Sequence, residues 1–185
     1  GWSGELSYEL YLQDRKKGDE LFEIVHEAAK EFNGAVIAPN TIRTIEGGLL
    51  SYQSDFGREH NPFTIGLDRL VDLDQDIDFI GKEALRKIKS EGISEKLVGV
   101  EIDGDPIQKV PENFWPVFDE NHKKIGRLSR CFFSPRLKKN IGLAIIDINF
   151  VEPGTPLVIE SPKAHLNAQV HELPWFPAEK STNLD

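Results

Sequence analysis

The chain of 185 residues contains no methionine and a single cysteine, Cys131. One thiol cannot form an internal disulfide, and the expectation is a reducing compartment, the cytoplasm. With Phe132 and Phe133 beside it, Cys131 reads as a small buried hydrophobe rather than a reactive thiol. Basic residues are outnumbered, 22 Lys and Arg against 31 Asp and Glu, for a net charge of -9. That balance argues against nucleic acid as a partner, because phosphate binding needs a basic face. No apolar run approaches the ~20 residues of a membrane span, and no signal-peptide pattern opens the chain. Also missing are a Gly-rich phosphate loop, a Cys-x-x-Cys pair, a nucleophile elbow and a histidine pair at metal-ligand spacing. Spacing alone therefore defines no catalytic machine. A chain that begins with Gly1 and lacks Met is expected to owe its start to processing or truncation.

What is present is a globular composition, 39% hydrophobic and 29% charged, in a length that suits one large or two small domains with cores of their own. The first dozen residues form a Gly-rich turn followed by alternation. Leu6, Tyr8, Leu10 and Leu12 fall on one face of a predicted strand, and Glu5, Ser7, Glu9 and Tyr11 on the other. By pattern alone Glu9 is a solvated carboxylate on the wet face. A helix follows to about Phe32, with Leu21, Val25, Ala28 and Phe32 as its stripe. Its His26 reads as a surface residue. Ala35 to Ala38 is a short predicted strand.

Asn40 then caps a second helix, about Thr41 to Leu50, in which Arg43 and Glu46 are spaced to pair on the surface. Gly47-Gly48 inside it implies close approach by a backbone or ligand, or a packing contact. Ser51 to Phe63 is a polar loop holding Tyr52, Asp55, Arg58, Glu59 and His60, a possible binding wall. His60 beside Asp55 and Glu59 invites a metal reading, but the spacing matches no tight ligand motif. Leu67 to Leu73 alternates as a strand, and Gly81 to Ser90 is an amphipathic helix.

Near Ser94 the texture changes. Short apolar runs separated by turn residues follow: Leu97 to Ile102, Trp115 to Phe118, Lys124 to Leu128, Ile141 to Ile148, Pro156 to Ile159 and Ala168 to Leu173. Such spacing predicts a small antiparallel barrel or sandwich. The fold class expected is α+β: an incomplete α/β layer with antiparallel strands and covering helices over residues 1–93, then a small antiparallel β-barrel over 94–185. The tail from Pro177 reads as poorly ordered.

Several motifs occur in a fixed order. They are Gly1-Trp2-Ser3-Gly4-Glu5-Leu6-Ser7-Tyr8-Glu9, Arg43 to Leu50, Asp78 to Leu85, Trp115 to Asp119, Ser134 to Asn140 and Pro153-Gly154-Thr155. In this order they resemble the glycine-cleavage T-protein family of folate-dependent aminomethyltransferases. The resemblance begins partway along the family's length. It implies a tetrahydrofolate-dependent one-carbon transfer with a small amine or sulfonium substrate, and an N-terminal catalytic region that this chain lacks. A chain so shortened is expected to be inactive alone. The alternative is a non-catalytic folate-binding or interaction module, and an exposed sheet edge would favour a homodimer.

The resemblance also implies site residues. Glu9 would hold the pterin, whose ring N–H and exocyclic amine a carboxylate accepts in parallel. Trp2 stands where the family has Tyr, and would line the pocket or face a cation. Asn40 stands where the T-proteins have an arginine, a change that leans towards relatives such as dimethylsulfoniopropionate demethylase. Tyr52 belongs to the same wall. Arg136, Lys138 and Lys139 are read either as a basic lure for folate's anionic tail or as a solvated turn. No catalytic residue and no metal ligand is assigned.

Overall fold

The computed structural model describes residues 6–38 and 40–177. Three α-helices come first: α1, Gly18–Lys30; α2, Thr41–Glu46; and α3, Lys82–Glu91. Six strands follow: β1, Glu95–Ile102; β2, Trp115–Phe118; β3, Lys124–Ser134; β4, Lys139–Asp147; β5, Pro156–Glu160; and β6, His165–His171. They close into a barrel in the order β1-β4-β3-β2-β5-β6, every neighbouring pair antiparallel. β1 closes it, with Val98 opposite Ala144 of β4 and Val100 opposite Val170 of β6. The chain is thus α+β with a small antiparallel barrel, as its spacing predicts.

Alternation fills the barrel. Val98, Val100 and Ile102 point inward from β1 and meet Ala144, Ile146 and Val170 in one core cluster. β4 is buried on both faces. Ala144 and Ile146 face the barrel interior, while Ile141 and Leu143 lie outside it beneath Ile45 of α2. A strand covered on both sides reads as an unbroken apolar run, which is the pattern of residues 141–146.

The run Lys124 to Leu128 continues six residues beyond its predicted end, to Ser134. The reason is a β-bulge. Pairing with β4 slips between Leu128 and Arg130, so Leu128 and Cys131 both belong to the interior cluster while Ser129 and Arg130 between them are both turned outward onto Asp55. A bulge breaks the period of two, and the alternation fails at that point.

Before residue 95 the expected strands do not form. Residues 6–12 and 35–38 have no ladder partner among the described residues, and a strand exists only through its neighbours. Their apolar side chains are exposed, Tyr8 at 76% and Ile37 at 83%. α1 forms near its predicted place but buries no residue, so its stripe faces outward. Leu67 to Leu73 contains a 3-10 turn at Asp68–Leu70 instead of a strand. The Asp72 carboxylate accepts from the backbone N–H groups of Asp74 and Gln75, a local bonding pattern that competes with a ladder. α2 stops at Glu46 because Gly47 ends it and Gly48 turns to φ +61.

No helix among the described residues is long and apolar enough to cross a membrane.

Candidate functional site

α2 and the loop after it are fastened to the outside of β3 and β4. Their hydrophobic contact is Ile45, fully buried on Ile141 and Leu143, with Phe132 and Trp175 at its edge. Two buried carboxylates complete the joint.

The first is Asp55, which is fully buried. Arg130 grips it with two parallel bonds, Nε to Oδ1 at 2.8 Å and Nη2 to Oδ2 at 2.6 Å. Ser129 Oγ donates to Oδ1 at 2.7 Å, and the Ser51 N–H donates to Oδ2 at 2.7 Å. Four donors fill the hydrogen-bonding capacity of a carboxylate, so Asp55 has no lone pair left for a ligand. Arg130 is equally committed: Nη1 donates to Thr44 Oγ1 at 2.9 Å and Nη2 to the Leu49 carbonyl at 2.9 Å. One barrel side chain therefore ties α2, its C-terminal turn and the Ser51–Asp55 loop together.

The second is Glu46, 2% exposed. Ser134 Oγ donates to it at 2.6 Å, and the guanidinium groups of Arg136 and Arg43 lie 3.4 and 3.6 Å away. The expected surface pair of Arg43 and Glu46 is thus a partly buried one. The Glu46 carbonyl accepts from the N–H groups of Trp175 and Phe176 at 3.0 and 3.3 Å. Arg136 also stacks on Phe176, 3.8 Å from the ring centroid. The chain's last described residues are thereby strapped across the end of α2.

The sequence-derived site residues are distributed around this joint. Asn40 caps α2, its side-chain oxygen accepting from the Ile42 N–H at 2.8 Å. Tyr52 is half exposed on the fastened loop, edge-on to Phe56 at 5.7 Å. Glu9 is exposed and accepts from the Tyr11 hydroxyl, a bond that holds the Tyr11 phenol above its ordinary pKa. Trp2 lies outside the described residues. Among the described residues no hydrogen bond joins Glu9 to Asn40 or Tyr52; these last two flank the segment that Arg130 ties to the barrel.

His60 is buried: the Gly57 N–H donates to Nδ1 at 3.0 Å, and Nε2 lies 3.3 Å from Arg127 Nη2. The Ser134–Asn140 motif is structural on both of its polar anchors. Ser134 holds Glu46, and the buried Asn140 side chain accepts from the Ile107 N–H and donates to the carbonyls of Ile102, Gly104 and Asp105. Arg136 and Lys139 are each paired, Lys139 with Glu101 at 2.6 Å. The motif is therefore more than a solvated turn.

A cavity of about 330 Å³ opens beside the joint, between Gln53 and Ser54 on one side and residues 110–114 on the other, with Ser129 and Arg130 at its base. Asp55, Glu46, Arg130 and Ser134 carry the geometry; sequence reasoning placed Asp55 in a possible binding wall and Ser134 in the family's motif, read Glu46 as a surface partner of Arg43, and gave Arg130 no role. The one signal for Arg130 is a polar pair, Ser129-Arg130, set inside an otherwise apolar strand.

The family model described as "GCVT N-terminal domain" matches residues 1–75, and "Glycine cleavage T-protein C-terminal barrel domain" matches residues 95–177. The chain belongs to the glycine-cleavage T-protein family. It is 36% identical over 184 residues to an aminomethyltransferase of Geobacillus sp. (strain WCH70), an alignment covering 97% of this chain and 49% of that protein. It is 28% identical to dimethylsulfoniopropionate demethylase DmdA of Ruegeria pomeroyi, covering 95% of this chain and 47% of the demethylase. Among solved structures, aminomethyltransferase T of the glycine cleavage system from Bartonella henselae superposes with a TM-score of 0.66 at 21% identity, over 74% of this chain and 38% of that one. The chain spans about half the length of the curated relatives it matches.

Proposed function

We propose that the chain serves tetrahydrofolate-dependent one-carbon transfer, contributing the pterin-holding carboxylate Glu9 and one wall of the folate pocket. The observation that carries this reading is family membership along nearly the whole chain, with Glu9 as the closing glutamate of the Gly-Tyr-Thr-Gly-Glu-x-Gly-x-Glu signature that residues 1–9 resemble. The chemistry agrees. An exposed carboxylate is free to accept two parallel N–H bonds from a pterin edge, and charge-assisted pairs of that kind are strong. Tyr11, which now donates to Glu9, would yield that acceptor to the pterin. Asn40, Tyr52 and Trp2 would line the wall. The division of labour follows the change in texture, with residues 1–93 supplying the folate contacts and 94–185 the barrel that supports them.

The one-carbon donor is a small amine or sulfonium. Identity is higher to the aminomethyltransferase than to the demethylase, 36% against 28%, whereas Asn40 in the arginine position favours the demethylase-like chemistry. A second reading, a folate-binding or interaction module without turnover, is favoured by the structural use of both buried carboxylates, Asp55 holding Arg130, Ser129 and Ser51, and Glu46 holding Ser134.

Calorimetric titration with tetrahydrofolate, beside Glu9→Ala, tests the proposal. Saturable binding abolished by the substitution supports it. Binding that Glu9→Ala leaves intact removes Glu9 from the site, and no binding by the unsubstituted chain contradicts the folate reading for this polypeptide.

A further inference from the structure

We infer that Arg130 of the barrel is a positioning residue for the ligand wall carried by α2 and the Tyr52 loop. The inference rests on the folate reading only for the identity of the ligand; the positioning itself rests on geometry. Arg130 touches that wall at four points, the Asp55 carboxylate twice, Thr44 Oγ1 and the Leu49 carbonyl. These points span the end of α2, the turn after it and the loop in which Tyr52, Gln53 and Ser54 follow. Among the described residues the Tyr52 side chain makes no hydrogen bond, and its place is set by the loop backbone. That backbone is closed by the Ser54 and Asp55 N–H groups on the Ser51 carbonyl, at 3.2 and 2.9 Å, and by the Gln53 N–H on the Phe56 carbonyl at 2.8 Å.

The bulge in β3 is what makes the arrangement possible. In a regular strand Ser129 and Arg130 would face opposite ways. The slipped register turns both outward onto one carboxylate. Arginine is required for this by shape: its planar fork reaches two oxygens of Asp55 and still has N–H groups for Thr44 and Leu49, whereas a lysine ammonium keeps the charge but is a single point. Arg130 also lines the cavity bounded by Gln53 and Ser54. Of the barrel side chains that fasten the wall, Arg130 is the one that reaches α2, the turn and the loop together.

The test compares Arg130→Lys with Ile146→Val in the full chain. Ile146 lies in the barrel interior and has no contact with the wall, so its variant reports loss of stability without loss of positioning. Two quantities are read at a temperature where both variants are folded: amide exchange at residues 51–57, and the calorimetric Kd for tetrahydrofolate. Positioning predicts that Arg130→Lys speeds loop exchange by about tenfold while the barrel strands stay as protected as in Ile146→Val. It also predicts a Kd raised about tenfold, with Ile146→Val binding like the unsubstituted chain. Loop exchange no faster than in Ile146→Val overturns the inference, as does equal loss of protection throughout the barrel, which would make Arg130 a residue of the whole fold. Absence of folate binding in the unsubstituted chain defeats the folate reading alone, because loop exchange still decides the positioning. Should Arg130→Lys not fold, Thr44→Val removes the Nη1 acceptor, along with a bond to the Thr41 carbonyl that stays within α2, and must shift exchange at residues 51–57 in the same direction; no shift there overturns the inference too.

Discussion

Arg130 and Asp55, 75 residues apart in sequence, form a two-pronged ion pair at 2.8 and 2.6 Å in which the carboxylate is wholly buried. Pairs of this kind stabilise little in net terms, because desolvation offsets attraction, but breaking one leaves a buried charge with no partner. Asp55→Asn should therefore lower stability by about 3–5 kcal/mol. The urea midpoint measures it, and a shift worth less than 1 kcal/mol would show that Arg130 finds other acceptors.

Ser134→Ala removes the hydroxyl that donates to Glu46 at 2.6 Å inside the joint. Both groups are buried, so the loss should be about 1–3 kcal/mol, the usual cost of an unsatisfied buried acceptor. Equilibrium denaturation checks the magnitude, and Ser134→Thr, which keeps the hydroxyl, should lose less.

Much of the barrel is legible in the sequence because each strand there buries one face or two. Trp115 to Phe118 matches its strand at both ends, and the run Ile141 to Ile148 marks the strand buried on both sides. What was not legible depends on partners distant in the chain. Residues 6–12 alternate as a strand does, yet nothing in a local pattern says whether a neighbour exists to pair with. The bulge at Ser129-Arg130 is invisible to a period-two reading, and it hides the two residues that make the joint. Asp55 looks like any loop aspartate until Arg130 is placed beside it. Asn40 was singled out through the family resemblance and Tyr52 through the polarity of its loop, and position alone would not distinguish either from an ordinary cap or loop residue.

Ile45→Ala should detach α2 from the barrel more than it disturbs the barrel itself. Ile45 is fully buried on the outer face of β4, and truncating such a side chain costs about 2–5 kcal/mol. Amide exchange should rise across residues 41–57 well before it rises in β1 or β6. Uniform acceleration would mean that helix and barrel open as one unit.

Cys131 is buried in the barrel interior, and burial pushes its thiol up to about 12 from 9.0. The native chain should be inert to thiol reagents at pH 8 and reactive only on unfolding. The sign of the pH dependence follows. Below pH 9 both states hold the proton and the thiol contributes no difference. Between 9 and about 12 the unfolded chain has released it while the folded chain retains it, so stability falls as pH rises through that window. Cys131→Ala should flatten that part of the profile, measured by denaturation at successive pH values.

The central claim is that the exposed opening segment and the fastened loop together meet tetrahydrofolate. Amide exchange of the chain with and without saturating tetrahydrofolate tests it most directly. The account predicts slowed exchange in residues 6–12, around Glu9, and in residues 51–57, around Tyr52, with β5 and β6 unchanged. Identical exchange in both segments with and without the ligand would contradict it.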